Sequence, residues 1–254
     1  MLFNFSKLFV KNSNKKRIWI VGGATGYGAA ISKHYYLNGH DIIISSSNRT
    51  KLQNFTNKIK NDNFKNSIDY FKMDITNEDE TINTTKKILL NKKLDILIIS
   101  SALGNNASPQ YPLLNGSTID LTKFIKVNSF GSWIVTRSLF PKICQNQKKL
   151  DIIFFTSKAG WSNTLHFGFY NISKSLMHHI GINLYREIKE KHPNFRIKMA
   201  ILEPGEARSE MNASSEVSAK CILPAIEYIL KLNNYNNLMF IDRDKKILKF
   251  VNPL

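Results

Sequence analysis

The chain has 254 residues, 43% of them hydrophobic, and 36 Lys and Arg against 19 Asp and Glu give a formal net charge of +17. That length suits one large α/β domain or two small ones, and no long Pro/Gly/Ser linker divides it. Cys144 and Cys221 are the 2 cysteines; without Cys-x-x-Cys spacing they argue against a disulfide framework or a cysteine-based metal site, and for a reducing, cytoplasmic setting. No stretch is apolar enough for a membrane span. The lysines scatter among Asn and Ile instead of forming a stripe interleaved with aromatic residues, so the charge reads as a generally basic surface, not a nucleic-acid interface.

Residues 1–16 form a basic N-terminal extension, with no acidic residue before Asp41. Its apolar run is broken by Asn4, Ser6 and Lys7, which speaks against a secretory signal; a surface-packed basic extension and an organelle transit peptide both fit it. From residue 17 to 254 the pattern is that of a single domain. Short apolar runs predict strands at Ile18–Val21, Asp41–Ser45, Ser67–Phe71, Asp95–Ile99, Asp151–Thr156, Arg196–Leu202 and Leu238–Ile241. Helical stretches follow near 27–38, 50–60, 77–91, 118–146, 168–191 and 215–231. Continuous runs such as Ile-Ile-Ile at 42–44 suit strands buried on both faces. The alternation predicts an α/β fold: a Rossmann-type, doubly wound parallel sheet of about seven strands with helices on both faces.

The first strand runs into Val21-Gly22-Gly23-Ala24-Thr25-Gly26-Tyr27-Gly28. Glycines there allow a tight turn and close approach of a pyrophosphate, which meets the N-terminus of the next helix. The placement between strand and helix is the context that a dinucleotide loop needs. The second strand ends in Ser45-Ser46-Ser47-Asn48-Arg49, with hydroxyls, a cation and no carboxylate. A carboxylate there would hold the ribose 2′-hydroxyl of NAD; a cation accepts the 2′-phosphate of NADP, so NADP is favoured over NAD. Asp74, in Met73-Asp74-Ile75-Thr76, either accepts from an adenine amino group or, like Thr76, caps the next helix. Further on, Tyr170 and Lys174 stand at i and i+4 of a predicted helix and share a face. An ammonium beside a phenol lowers a pKa that otherwise sits near ~10 and suits the phenol to proton transfer. By itself the spacing also fits an ordinary helix surface.

In order along the chain these residues resemble the short-chain dehydrogenases/reductases. Gly22, Gly26 and Gly28 match that family's Thr-Gly-x-x-x-Gly-x-Gly, with Val21 in place of Thr. Asp74-Ile75 matches its adenine-contact pair, and Ile99-Ser100-Ser101-Ala102 falls where Asn-Asn-Ala-Gly is usual. Asn128 matches the active-site Asn, Ser157 the catalytic Ser 13 residues before Tyr170, and Pro204-Gly205, with Ser209 for Thr, the loop that covers the nicotinamide. Phe240-Ile241-Asp242-Arg243-Asp244 is similar to the tail of a C-factor-like branch, with Lys245 where Gly is usual.

The resemblance implies hydride transfer between a nicotinamide cofactor and a small carbonyl or alcohol substrate. Tyr170 would be the acid/base, Ser157 the partner of the substrate oxygen, Lys174 the neighbour that tunes Tyr170 and holds the nicotinamide ribose, and Asn128 the anchor of a water relay. It assigns the cofactor to Gly22, Thr25, Gly26, Tyr27, Gly28, Ser46, Ser47, Asn48, Arg49, Asp74, Ile75, Ser101, Ala102, Tyr170, Lys174, Pro204, Gly205, Ala207 and Ser209, and implies a homodimer or homotetramer through the long helices. It calls for no metal. Trp161, His166 and Phe167 are candidates to line the substrate pocket, plain packing being the alternative. A non-catalytic dinucleotide-binding regulator on the same fold is the competing reading; it is disfavoured because Ser157, Tyr170 and Lys174 are all kept.

Overall fold

A computed structural model describes residues 15–90, 92–104, 113–162, 164–233 and 235–248. Of the basic extension only Lys15 and Lys16 fall within these; the rest of it lies outside the described residues. Lys15 pairs with Asp41 at 2.8 Å and the Lys16 amide donates to His40 Nδ1 at 3.1 Å, so the chain enters the sheet already tethered.

Strand β1 (Arg17–Val21) is followed by α1 (Gly26–Leu37), β2 (Asp41–Ser46), α2 (Arg49–Ile59), β3 (Ile68–Lys72), α3 (Glu78–Ile88) and β4 (Ile96–Ile99). Then come α4 (Thr118–Ile125), α5 (Gly131–Asn146), β5 (Lys149–Phe155), the short α6 (Ala159–Ser162), α7 (Gly168–Lys191), β6 (Arg196–Glu203), α8 (Leu223–Lys231) and β7 (Asn237–Asp242). All seven strands pair in parallel in the order β3-β2-β1-β4-β5-β6-β7, the doubly wound sheet expected from the alternation. The order reverses between β1 and β4, and in such sheets ligands bind beyond the strand C-termini at that reversal.

Neighbouring residues of each strand point to opposite faces, and both faces are apolar. Trp19, Val21, Ile43 and Leu97 join one buried cluster, completed by Val135, Met177 and Ile182 of α5 and α7. Ile18, Ile20, Ile42 and Ile44 join the other, under Ile31, Leu52 and Ile226 of α1, α2 and α8. Burying such side chains contributes roughly 1.5–3 kcal/mol each, which is why the isoleucine runs are continuous. The indole of Trp19 stays satisfied by donating to Ser45 Oγ at 3.0 Å. Lys198, 1% exposed in β6, pairs with Asp151 Oδ2 at 3.4 Å and donates to Leu230 O and Leu232 O at 3.2 and 2.9 Å.

Two helices differ from the periodicity. The stretch 118–146 is helical throughout, but a π-helical turn, Lys126–Phe130, lies between α4 and α5 and carries Asn128. The stretch 215–231 becomes helical only at Ala219–Ile222, as a 3₁₀ turn capped by Ser218, before α8, whose first turn contains Pro224. Pro favours a helix start because it has no amide to leave unpaired. Among the described residues no helix is long and apolar enough to cross a membrane.

Candidate active site

A cleft of about 310 Å³ opens beyond the C-termini of β1, β2 and β4. Gly22, at φ +83°, makes its floor; a Cβ there would stand 2.7 Å from Ser101 N. A Cβ on Gly28 would stand 2.1 Å from Gly22 O, so the first turn of α1 packs directly on the loop before it. These are the close approaches for which only glycine serves. Thr25 is the N-cap residue of α1 but spends no side-chain hydrogen bond on the cap, and α1 directs its first amides to the cleft.

Ser46, Ser47, Asn48, Asp74, Ile75, Ser101, Ala102 and Ser209 line the same cleft, together with Gly22, Thr25, Gly26, Tyr27 and Gly28. Ser101 Oγ is buried there with no hydrogen-bond partner among the described residues, an acceptor and donor left for a ligand. The set fits a dinucleotide: backbone amides at a helix start, hydroxyls at the ribose end, and an apolar wall at Ile75 and Val127. Asp74 Oδ1 accepts from Thr76 N and Thr76 Oγ1 at 2.9 and 2.8 Å, while Asn77, not Asp74 or Thr76, caps α3 by accepting from Glu80 N.

Arg49, the cation named for a 2′-phosphate, does not line the cleft; Lys51 does. Asn48 caps α2 by accepting from Lys51 N, and the first helical turn carries Lys51 to the cleft side. Its ammonium reaches across the cleft mouth to Glu210 at 2.6 Å. Tyr170, Lys174, Pro204, Gly205 and Ala207 are also absent from the lining: Tyr27 donates its hydroxyl to Pro204 O and Gly205 O at 3.1 and 2.9 Å, and Ala207 is buried.

Beyond β5 and along α7 the expected catalytic residues converge. Ser157 hydrogen-bonds Tyr170, and Lys174, 2% exposed, brings Nζ within 5.6 Å of the Tyr170 ring centroid. Nζ donates to Phe155 O at 3.2 Å. One donor is thus used, and two N–H bonds remain to offer. Asn128, 2% exposed, accepts from Leu103 N at 2.7 Å and donates to Leu103 O and Ser173 Oγ, both at 2.9 Å. It therefore ties the loop after β4 to α7 between Tyr170 and Lys174. A π turn that inserts one residue into a helix is a frequent device at such sites.

The charges differ from the simple pairing drawn from sequence. Burial pushes the Tyr170 phenol up to about 12; the Ser157 hydrogen bond pulls it down and the charge of Glu203 pushes it up further. Burial brings Lys174 down to about 8. Desolvation disfavours the charged form of each group. The phenol is therefore held protonated at neutral pH. His178, one turn beyond Lys174, is held down at about 4, by burial first and by the Lys174 charge second, and shares a short hydrogen bond with Thr156. Nothing in the one-dimensional pattern singled out His178 or Lys51.

Of the pocket candidates, Trp161 stacks at a tilt on His178, with ring centroids 5.5 Å apart. His166 takes a left-handed backbone at φ +67° and lines a separate apolar groove with Leu113, Leu114, Leu165 and Ile172. Phe167 is 37% exposed at the start of α7.

Known proteins share this fold. Residues 16–219 match the family model described as short chain dehydrogenase. The chain is 27% identical over 192 residues to the 3-oxoacyl-(acyl-carrier-protein) reductase FabG of Rickettsia felis, covering 76% of this chain and 73% of that one. It is 24% identical over 184 residues to a very-long-chain 3-oxoacyl-CoA reductase of Coccidioides immitis, covering 72% and 52%. Among solved structures, a short chain dehydrogenase from Shigella flexneri complexed with NADP superposes with a TM-score of 0.78 at 18% identity, covering 91% of this chain and 98% of that one. An alcohol dehydrogenase from Thermococcus sibiricus complexed with 5-hydroxy-NADP superposes at 0.73 and 18% identity, covering 90% and 96%. The chain belongs to the short-chain dehydrogenase family and is an oxidoreductase of that family.

Proposed function

We propose that this short-chain dehydrogenase is an NADP-dependent carbonyl reductase in which Tyr170 is the proton donor, with 3-oxoacyl thioesters as its first candidate substrates. The observation that carries the reading is the convergence of Ser157, Tyr170 and Lys174, tied through Ser173 and Asn128 to Leu103, the residue after Ala102 of the glycine-floored cleft. A bound nicotinamide dinucleotide supplies the hydride. The Ser157 hydroxyl donates to the substrate oxygen and fixes it beside Tyr170. Tyr170 gives its proton to that oxygen as the carbon is reduced; a phenol at about 12 arrives at this step protonated. The phenolate left behind is stabilised by the Lys174 ammonium, still mostly charged at neutral pH with a pKa of about 8. The water relay assigned to Asn128 draws on the second lone pair of Oδ1, the first being taken by Leu103 N–H.

The choice of NADP rests on Ser46, Ser47, Asn48 and Lys51 at the ribose end, where the nearby carboxylate, Glu210, is already paired with Lys51. The substrate class rests on the likeness to the two 3-oxoacyl reductases and on a basic surface that attracts anionic thioester carriers. A homo-oligomer is assigned to the long helices α5 and α7, between which a groove of about 550 Å³ is lined by Phe140, Leu184 and Ile188. Sedimentation of the purified chain as a monomer would remove that assignment. For the chemistry, Tyr170→Phe is expected to lose at least about 100-fold in kcat on an acetoacetyl thioester, read by NADPH absorbance, while the affinity for NADPH stays within about twofold. Wild-type turnover by the Phe variant would end the proposed role.

A further inference from the structure

Where β6 ends, Glu203 stands between two loops of the site, and nothing so far has given it a task. We infer that Glu203 is a positioning residue whose carboxylate ties the loop carrying Ser157 to the Pro204–Gly205 turn and so sets where the Ser157 hydroxyl meets the substrate oxygen. The inference rests on the reading of Ser157 and Tyr170 given above.

The ladder between β5 and β6 runs up to Phe155 opposite Leu202, and Thr156 N adds one more bond to Leu202 O at 2.8 Å. Beyond that point the two chains separate, and no backbone bond is described between Ser157–Lys158 and Pro204–Gly205. The Glu203 carboxylate takes over: Oε1 accepts from Gly205 N at 2.9 Å, and the amide of Lys158, one residue past Ser157, faces the same carboxylate and favours its charged form. Two backbone N–H groups directed at one carboxylate form a charge-assisted bridge.

The far side of the turn is held as firmly. Tyr27 donates to the carbonyls of Pro204 and Gly205, and Arg243 donates to Glu206 O at 2.9 Å. The Arg243 guanidinium lies so close to Gly205, at φ +64°, that a Cβ there would stand 2.8 Å from Cζ. The turn is thus gripped by α1, by the end of β7 and by its own preceding residue. The charged and titratable groups facing Glu203 are Tyr27 of α1, Tyr170 of α7, and Arg243 and Asp242 at the end of β7. A carboxylate in this place acts on the chemistry in two ways. It holds Ser157, and its negative charge disfavours the Tyr170 phenolate.

Two variants separate these effects. Glu203→Ala removes the bridge; Glu203→Gln keeps an acceptor oxygen and removes the charge. In the Ala variant, hydrogen exchange at the Lys158 and Gly205 amides is expected to accelerate about 10-fold or more. Its kcat is expected to fall about 100-fold, because a misplacement near 1 Å at reacting groups has that effect. The Gln variant is expected to recover most of the kcat and to move the alkaline limb of the reduction profile to lower pH, since Tyr170 loses its proton more readily once the neighbouring charge is gone. Exchange and kcat unchanged in Glu203→Ala, or in the shorter Glu203→Asp where the Ala variant fails to fold, would overturn the tether, and a Gln variant whose alkaline limb does not move would overturn the charge effect on Tyr170. A wild-type enzyme that reduces no carbonyl would instead fail the reading of the site, a result that amide exchange in the same variants keeps distinct from failure of the bridge.

Discussion

Lys174 should be a residue that the protein keeps at the expense of its own stability. Its ammonium is 2% exposed, and burial moves its pKa from the ordinary 10.5 to about 8. At about 1.4 kcal/mol per tenfold change in proton affinity, that corresponds to about 3 kcal/mol of destabilisation wherever the group is charged in both states. Lys174→Met keeps the length of the side chain and removes the charge. It also removes the hydrogen bond to Phe155 O, for a loss of about 1 kcal/mol, so a net gain of about 2 kcal/mol is expected at pH 7. In a chain of this size that is a rise of about 4–8 °C in Tm. The sign follows from the depressed pKa. Between pH 8 and 10.5 the unfolded chain holds a proton that the folded chain has released, so wild-type stability climbs through that window and the advantage of the variant shrinks. Melting curves of both proteins at pH 7 and pH 10 measure it, with loss of reductase activity as the accompanying readout. A variant less stable than wild type at pH 7, or a gain that stays constant to pH 10, would refute the reasoning.

Two further outcomes follow from the same structure. Lys51→Ala is expected to weaken NADPH about 10-fold while changing NADH by less than about threefold, and Arg49→Ala to do neither; titration of nicotinamide fluorescence compares them, and an Arg49 effect larger than that of Lys51 would reverse the assignment. Lys198→Ala leaves the Asp151 carboxylate, already pushed up by burial, without its cation, and strips a donor from Leu230 O and Leu232 O. A loss of about 3–5 kcal/mol in denaturant unfolding is expected, and a loss below about 1 kcal/mol would show that water reaches the pair.

Most of the fold was legible in one dimension because its signals are local. Ile42, Ile43 and Ile44 alternate between the two clusters, which only a strand buried on both faces allows, and the predicted span of α7 agrees with Gly168–Lys191. The exceptions are local too, but they turn on hydrogen bonds instead of apolar spacing. The π turn at Asn128 leaves the apolar pattern of 118–146 unbroken, and the late start of α8 depends on Ser218 and Pro224.

At the site, the glycine loop was legible from its place between strand and helix, and Tyr170 and Lys174 from their spacing on one helix, whereas Asn128 and Ser157 were named only through the family resemblance. Tertiary structure decided what those groups feel and what holds them. Burial reverses the sign of the expected Tyr170 shift, and burial is a property of everything packed around a residue, not of the residue four positions away. Lys51 displaces Arg49 from the cleft because a two-residue step along α2 turns the side chain to another side of the helix. Tyr27 grips the Pro204–Gly205 turn from 177 residues away, and Glu203 reaches Lys158 across the gap where β5 and β6 part. Contacts at such separations leave no periodicity to read, so the chemistry of this chain was open to its sequence while the geometry that tunes it was open only to the fold.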